Sequence, residues 1–144
     1  MLIKEKYLSG SAHKWNMITG SWEETDGEIE NAAIREVKEE TGLDIKIEKL
    51  LQITMVQYPD KTKIQFFFIA EARNDKVCLP SKEDQEKLSE SITDYKWFTK
   101  AEILQIPDNE FVTSTVAMKL KEHIQKPECM PASTMKYLDS EMVY

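Results

Sequence analysis

The chain contains no apolar run approaching the ~18–20 residues that a membrane-spanning helix requires, so no segment reads as transmembrane. Its first residues, MLIKEKYLSG, hold no apolar h-region, and no secretory signal is visible. Basic charge is in deficit: Lys and Arg total 19 against 26 Asp and Glu, a net charge of -7. That balance argues against a partner that is a nucleic acid polymer, which calls for a basic footprint. It argues equally against docking on an anionic membrane. An acidic chain can still bind small polyphosphates when divalent cations mediate the contact. There are only two cysteines, Cys78 and Cys129, too far apart in sequence for a close metal-ligand pair, and they read as buried or idle thiols. Cytoplasmic residence is the default reading.

Repeats, low-complexity blocks and long linkers are absent as well, so 144 residues form one domain over about residues 1–125, followed by a tail at 126–144. What is present is an alternation of short strands and helices. LIKEKYL (2–8) and WNMIT (15–19) read as strands, separated by a turn-rich GSAHK. The polar stretch 20–28 should be a loop that feeds a helix at about 29–41. Good helix formers fill that helix, Asp26 and Glu28 suit its N-terminal end, and Gly42 suits a left-handed stop. Residues 43–58 alternate in two phases, as one bulged strand or two short ones would. They pair as a hairpin with 62–73, whose middle, Phe66 to Ile69, is apolar on both faces and should lie inside the sheet. Residues 74–91 read as an irregular acidic loop, 93–99 as a last strand, KAEILQI as a helical turn, and 109–124 as a helix. From Lys126 onward little periodicity remains, and loose packing is expected.

The stretch AAIREVKEETGL, residues 32–43, sets Glu36, Glu39 and Glu40 within an arc of about 100° on the helix. Ala33, Ile34 and Val37 form an apolar arc beside them, and Asn31, Arg35 and Lys38 lie nearest the outward direction. Two readings stand. One is a solvated face, since charge runs on helices are commonly that. The other is the wall of a cleft in which three carboxylates offer the hard oxygen donors that Mg²⁺ or Mn²⁺ prefers.

The order of residues is more specific than their charge. REVKEETGL resembles the second half of the Nudix box, which reads Gly, five residues, Glu, seven residues, then Arg-Glu-bulky-x-Glu-Glu-x-Gly-bulky. Arg35, Glu36, Val37, Glu39, Glu40, Gly42 and Leu43 match its specified positions, and Gly20 in TGSWEE resembles the first glycine. MLIKEKY, HKWNMITG and DYKWFTKAEI resemble the flanking family segments. Two features depart. Gly20 and Arg35 stand fifteen apart where the pattern has fourteen, so the intermediate glutamate, sought eight before Arg35, meets Gly27 between Asp26 and Glu28. Family members also usually carry a further strand ahead of residues 2–8. This chain begins too late to supply it, which leaves either a start at an internal methionine or an edge covered by the C-terminal tail or by a neighbouring subunit, as in a homodimer.

The resemblance implies an α/β fold, an α/β/α sandwich around a mixed sheet. It implies a metal-dependent hydrolase that cleaves a pyrophosphate linkage in a small nucleoside diphosphate derivative, with nucleoside tri- or diphosphates first among substrates. By the same resemblance Glu36, Glu39 and Glu40 are metal ligands, with the Gly20 carbonyl a further one and Mg²⁺ or Mn²⁺ the cofactor. One of these glutamates, with Glu36 and Glu39 named first, would serve as general base, unless a loop carboxylate does so, and Arg35 would orient a box glutamate. Many family members add an acidic ligand before the late-strand tryptophan, here Trp97, and Glu90 is favoured over Asp94 for that place, against the alternative of an exposed loop glutamate. Trp15 and Trp22 are candidates to stack a base, and Tyr58 a candidate substrate contact, against plain packing roles for each. Two rival readings remain: a Nudix-type domain that senses a nucleotide without hydrolysing it, and an interaction domain with a solvated glutamate helix.

Overall fold

The computed structural model describes residues 1–6, 12–88 and 91–131. Strands β1 (Leu2–Lys6), β2 (His13–Asn16) and β5 (Ile92–Lys96) form one three-stranded sheet in the order β2-β1-β5. Strands β3 (Ile45–Gln57), β4 (Thr62–Ala72) and β6 (Met130–Pro131) form a second, in the order β4-β3-β6. The strand pairs are antiparallel, and a parallel bridge joins Trp15 to Phe111. Helices α1 (Ile29–Thr41), α2 (Lys82–Leu88), α3 (Lys100–Gln105) and α4 (Ser114–Gln125) complete the α/β architecture. No helix among the described residues is long and apolar enough to cross a membrane.

Helix α1 takes the expected bounds. At its C-terminal end Gly42 adopts φ 70°, and its N–H donates to the Lys38 carbonyl at 2.9 Å. A side chain there would be strained in the left-handed region and would also meet Cys78 at 3.2 Å. The next segment is tied to the same end, because Cys78 N–H donates to the Thr41 carbonyl. Helix α4 starts on Thr113, whose hydroxyl accepts from Val116 N–H at 3.2 Å. Helix α3 starts on a reciprocal Thr99–Glu102 capping box.

One core gathers Leu2, Phe111 and Ala117, with Trp15, Phe98, Ile103 and Leu120 packed on it between the β1 sheet and α3 and α4. On the other side α1 lies on β3, and Leu43 and Leu50 are buried there. Each such leucine contributes about 1.5–3 kcal/mol relative to exposure. The two phases of residues 43–58 resolve into one long strand: pairing with β4 skips Glu48 and Leu51, so two bulges return Leu50, Ile53 and Met55 to one face.

Several expectations are corrected. Tyr7 and Leu8 of the expected first strand lie outside the described residues, and β2 runs His13–Asn16, so His13 and Lys14 belong to the strand and not to the turn, and the strand stops short of Thr19. The acidic loop at 74–91 contains α2, which its lysine and glutamate content supports and its lack of an apolar stripe concealed. Phe111 lies outside the last helix, fully buried against Trp15, while Met118 on that helix is exposed. Cys78 is exposed and Cys129 half-buried, neither in a disulfide. Most consequential, β4 is an edge strand among the described residues, although its middle is apolar on both faces.

Candidate active site

The site is built around Arg35 on α1. Its Nε donates to Asp26 Oδ1 at 2.9 Å and one Nη to Asp26 Oδ2 at 3.2 Å, a two-pronged pair. The same Nη2 donates to the Ser21 carbonyl at 2.9 Å. Its Nη1 donates to Glu36 Oε1 and to Glu39 Oε2, each at 3.0 Å. One guanidinium therefore joins the loop at 20–28 to two carboxylates of the helix. These bonds, led by the one to Asp26, raise the Arg35 pKa further above its ordinary value, so it stays charged at any working pH.

Asp26 is held in place in turn. It closes a single 3-10 turn, Glu24–Asp26, and its Oδ2 accepts from Glu23 N–H at 2.8 Å. Only 5% of its side chain is exposed. The Arg35 hydrogen bonds, followed by the backbone bond from Glu23, hold its carboxyl below the ordinary 3.8. Gly27 follows at φ 68° and lets the chain reverse before α1 begins. This resolves the extra residue in the box. Counted from Gly20 instead of from Arg35, the sixth position on is Asp26, the place of the intermediate glutamate. The added residue thus lies between Asp26 and Arg35, and an aspartate one methylene shorter still reaches the arginine. That signal was present in the sequence but hidden by counting from one end only.

Gly20 backs the Glu36 carboxylate. An ideal Cβ at Gly20 would stand 1.8 Å from the Glu36 carboxyl carbon, and Ser21 N–H donates to Glu36 Oε1 at 3.1 Å. Only glycine allows that approach. The three glutamates do not share one environment: Glu39 is the open one, with 38% of its side chain exposed, and Glu40 is 3% exposed on the buried face of α1. The helix is rotated from the orientation that its apolar residues suggest. Ile34 is at the surface, and Ala32, Glu40 and Thr41 point inward.

The donor set fits a hard divalent ion in kind. Arg35 and Ser21 engage Glu36 Oε1 and Glu39 Oε2, and the second oxygen of each carboxylate stands outside that network. The glycine cradle brings backbone up beside Glu36. Among the described residues, however, no three Asp, Glu, His or Cys side chains converge closely enough to form a ready cage.

The aromatic candidates separate. Trp15 packs edge-on against Phe98 at 4.9 Å and is joined to the core, which favours its packing role. With Phe98, Ile106 and Glu110 it lines a cleft of about 580 Å³, none of whose lining residues is a box carboxylate. Trp22 is exposed in the loop that carries Gly20 and Ser21, its Nε1–H bonded to the Gly27 carbonyl. Tyr58 is exposed at the hairpin end, with the Lys61 ammonium 5.9 Å from its ring. Glu90 lies outside the described residues; Asp94 is on β5, where its Oδ1 accepts from Tyr95 N–H.

Comparison with known proteins agrees with this geometry. A family model described as the NUDIX domain matches residues 1–118. Nudix hydrolase 8 of Arabidopsis thaliana is 31% identical over 110 residues, which cover 74% of this chain and 27% of that protein. The chain therefore spans about a quarter of that curated relative's length. A solved NUDIX hydrolase from Nitrosomonas europaea superposes with a TM-score of 0.68 at 27% identity, over 96% of this chain and 88% of that one. The chain belongs to the Nudix hydrolase family.

Proposed function

We propose that the protein hydrolyses a pyrophosphate linkage in a small nucleoside diphosphate derivative, with nucleoside tri- and diphosphates as the first class to test. The observation that carries this reading is the Arg35 cluster, in which Asp26, Glu36 and Glu39 meet one guanidinium beside the Gly20 backbone. Glu36, Glu39 and Glu40 would hold Mg²⁺ or Mn²⁺, with the Gly20 carbonyl as a further ligand. A divalent ion so held neutralises charge on the phosphate oxygens and makes bound water more acidic. Glu39, the most exposed of the three, is the carboxylate best placed to take a proton from attacking water. Arg35 keeps Glu36 and Glu39 in position, and Asp26 keeps Arg35. Trp22, on the same loop as Gly20, offers the face on which a base would stack.

The test is release of phosphate or pyrophosphate from a panel of nucleotides and pyrophosphate esters with Mg²⁺ or Mn²⁺. Turnover that vanishes with chelator and in Glu39→Gln is the expected result. Metal-dependent nucleotide binding with no turnover on any compound would assign the domain to nucleotide sensing instead.

A further inference from the structure

The chain reverses ahead of α1 within three residues. The Asp26 carbonyl accepts from Glu28 N–H at 2.9 Å across a single residue, Gly27, whose φ is 68° and ψ -80°. That is a γ-turn of the rare hand with positive φ, a strained conformation that persists only where its surroundings hold it. A Cβ on Gly27 would meet nothing within 4 Å, so conformation and not crowding calls for glycine. Side chains hold both carbonyls of the turn. Trp22 Nε1–H donates to the Gly27 carbonyl at 3.2 Å, and Asn31 Nδ2 donates to the Asp26 carbonyl at 2.9 Å. Of the two ends of an amide, only the nitrogen can donate to a carbonyl, so the chemistry fixes which way the Asn31 amide points. Asn31 is exposed at the third residue of α1, four before Arg35, and the two side chains share one helix face. One takes the backbone of Asp26 and the other its carboxylate.

We propose that Asn31 is a positioning residue of the site: it holds the Asp26 carbonyl, so keeps the Asp26 carboxylate against Arg35, and through Arg35 keeps Glu36 and Glu39 in place. The extra residue of the box creates the need. Without Gly27, Asp26 would stand at the family spacing of eight before Arg35. With it, the backbone at Asp26 pivots on a glycine, the residue type with the most conformational freedom to lose. The γ-turn bond closes only the three residues around that pivot. The Asn31 bond ties the same carbonyl to a helix, whose own hydrogen-bond ladder makes it a firm anchor. A carbonyl oxygen has two lone pairs, and Glu28 N–H and the Asn31 amide take both. Among the described residues no hydrogen bond of Asn31 reaches Glu36 or Glu39, so its influence on them passes through Asp26 and Arg35. Its consequence for turnover rests on the hydrolytic reading above; its hold on Arg35 does not.

The chain has two arginines, Arg35 and Arg73, so its ¹⁵N-edited proton spectrum holds two Nε–H signals, and Arg35→Lys identifies the first. Solvent exchange of the Arg35 Nε–H, measured on the full chain without metal or substrate, reads its bond to Asp26 directly. Asn31→Ala should leave the far-UV circular dichroism and the urea midpoint near wild type, because alanine is the better helix former at an exposed position. It should nevertheless speed that exchange by about 5-fold or more, the scale of one lost hydrogen bond. Asp26→Asn should speed it too, and adding Asn31→Ala to Asp26→Asn should contribute less than about 2-fold, since residues that act in series are not additive. Unchanged exchange in Asn31→Ala overturns the proposal, and so do additive effects in the double variant. In the phosphate-release assay Asn31→Ala should lower kcat about 3–10-fold with KM nearly constant, less than for a residue that touches a metal ligand itself. A rise in KM at full kcat overturns the proposal as well. Absence of turnover on every compound would sink the hydrolytic reading, while the exchange measurement would still decide the role of Asn31.

Discussion

Around Arg35 a side chain near the surface makes five hydrogen bonds, all to oxygens supplied by residues 21–39. Along the β3–β4 hairpin eleven residue pairs run antiparallel, yet Met55 is 70% exposed and Ile53 and Ile64 lie open beside it. The first region spends its polar groups on one another within a short sequence span, and small displacements there should be felt at once. The second is held by backbone pairing, and its distal side chains should be replaceable. Surface ion pairs usually contribute little. The Arg35 pairs differ because one planar donor fixes several acceptors together and Asp26 is nearly inaccessible, so their main consequence is position.

The contrast is sharpest at the carboxylates. Glu39→Gln, or Glu40→Gln, should lower kcat at least ~10²-fold in the phosphate-release assay, the scale of losing one group that stabilises transition-state charge. Unchanged kcat in both variants would remove the helix from the chemistry. Asp26→Asn comes next, since it leaves Arg35 one neutral partner in place of a two-pronged charged one. A fall of about 10–100-fold in activity or metal affinity is expected, partly restored in Asp26→Glu. A loss confined to stability, with full activity per folded molecule, would reduce Asp26 to a structural role.

The same residue carries a pH signature. Its folded-state pKa lies below 3.8, so its contribution to stability is complete above that value and is lost as pH falls through the lower folded value. The stability gap between wild type and Asp26→Asn, measured by urea unfolding, should stay constant from neutral pH to about 4 and close below it. A gap that widened below pH 4 would contradict the pairing.

Gly20→Ala should separate fold from function. The added methyl meets the end of a flexible Glu36 side chain, which can swing aside, so stability should change by no more than about 0.5 kcal/mol. The displaced carboxylate should nevertheless lower kcat/KM by roughly 10-fold or more, because ~1 Å errors in active sites are costly. Smallest of all, Met55→Gln on the open hairpin face should leave both the urea midpoint and kcat unchanged within about 0.5 kcal/mol. A larger loss there would show that the hairpin face is covered and would erase the contrast with the Arg35 cluster.

Helix α1, its glycine stop and the order of its acidic residues were legible because they rest on local signals, namely propensity, capping and neighbour identity. The partner of Arg35 was legible only when the box was counted from Gly20 as well. The rotation of α1 was not, since Ile34 and Glu40 exchange the places their hydropathy suggests once β3 decides which face is covered. Trp15 likewise looked as available as Trp22 until Phe98 and Phe111 closed on it. Length and alternation alone could not say that α2 forms or that, among the described residues, β4 pairs on one side only.

By itself, then, the sequence determined the family, the helix and the identities of the acids, because a short ordered motif carries its own geometry. Tertiary structure alone decided that Ile34 is left at the surface, that Glu39 faces solvent while Glu40 does not, and that β4 lies at an edge among the described residues. Those outcomes depend on which surfaces distant segments bring together, and no local propensity encodes them.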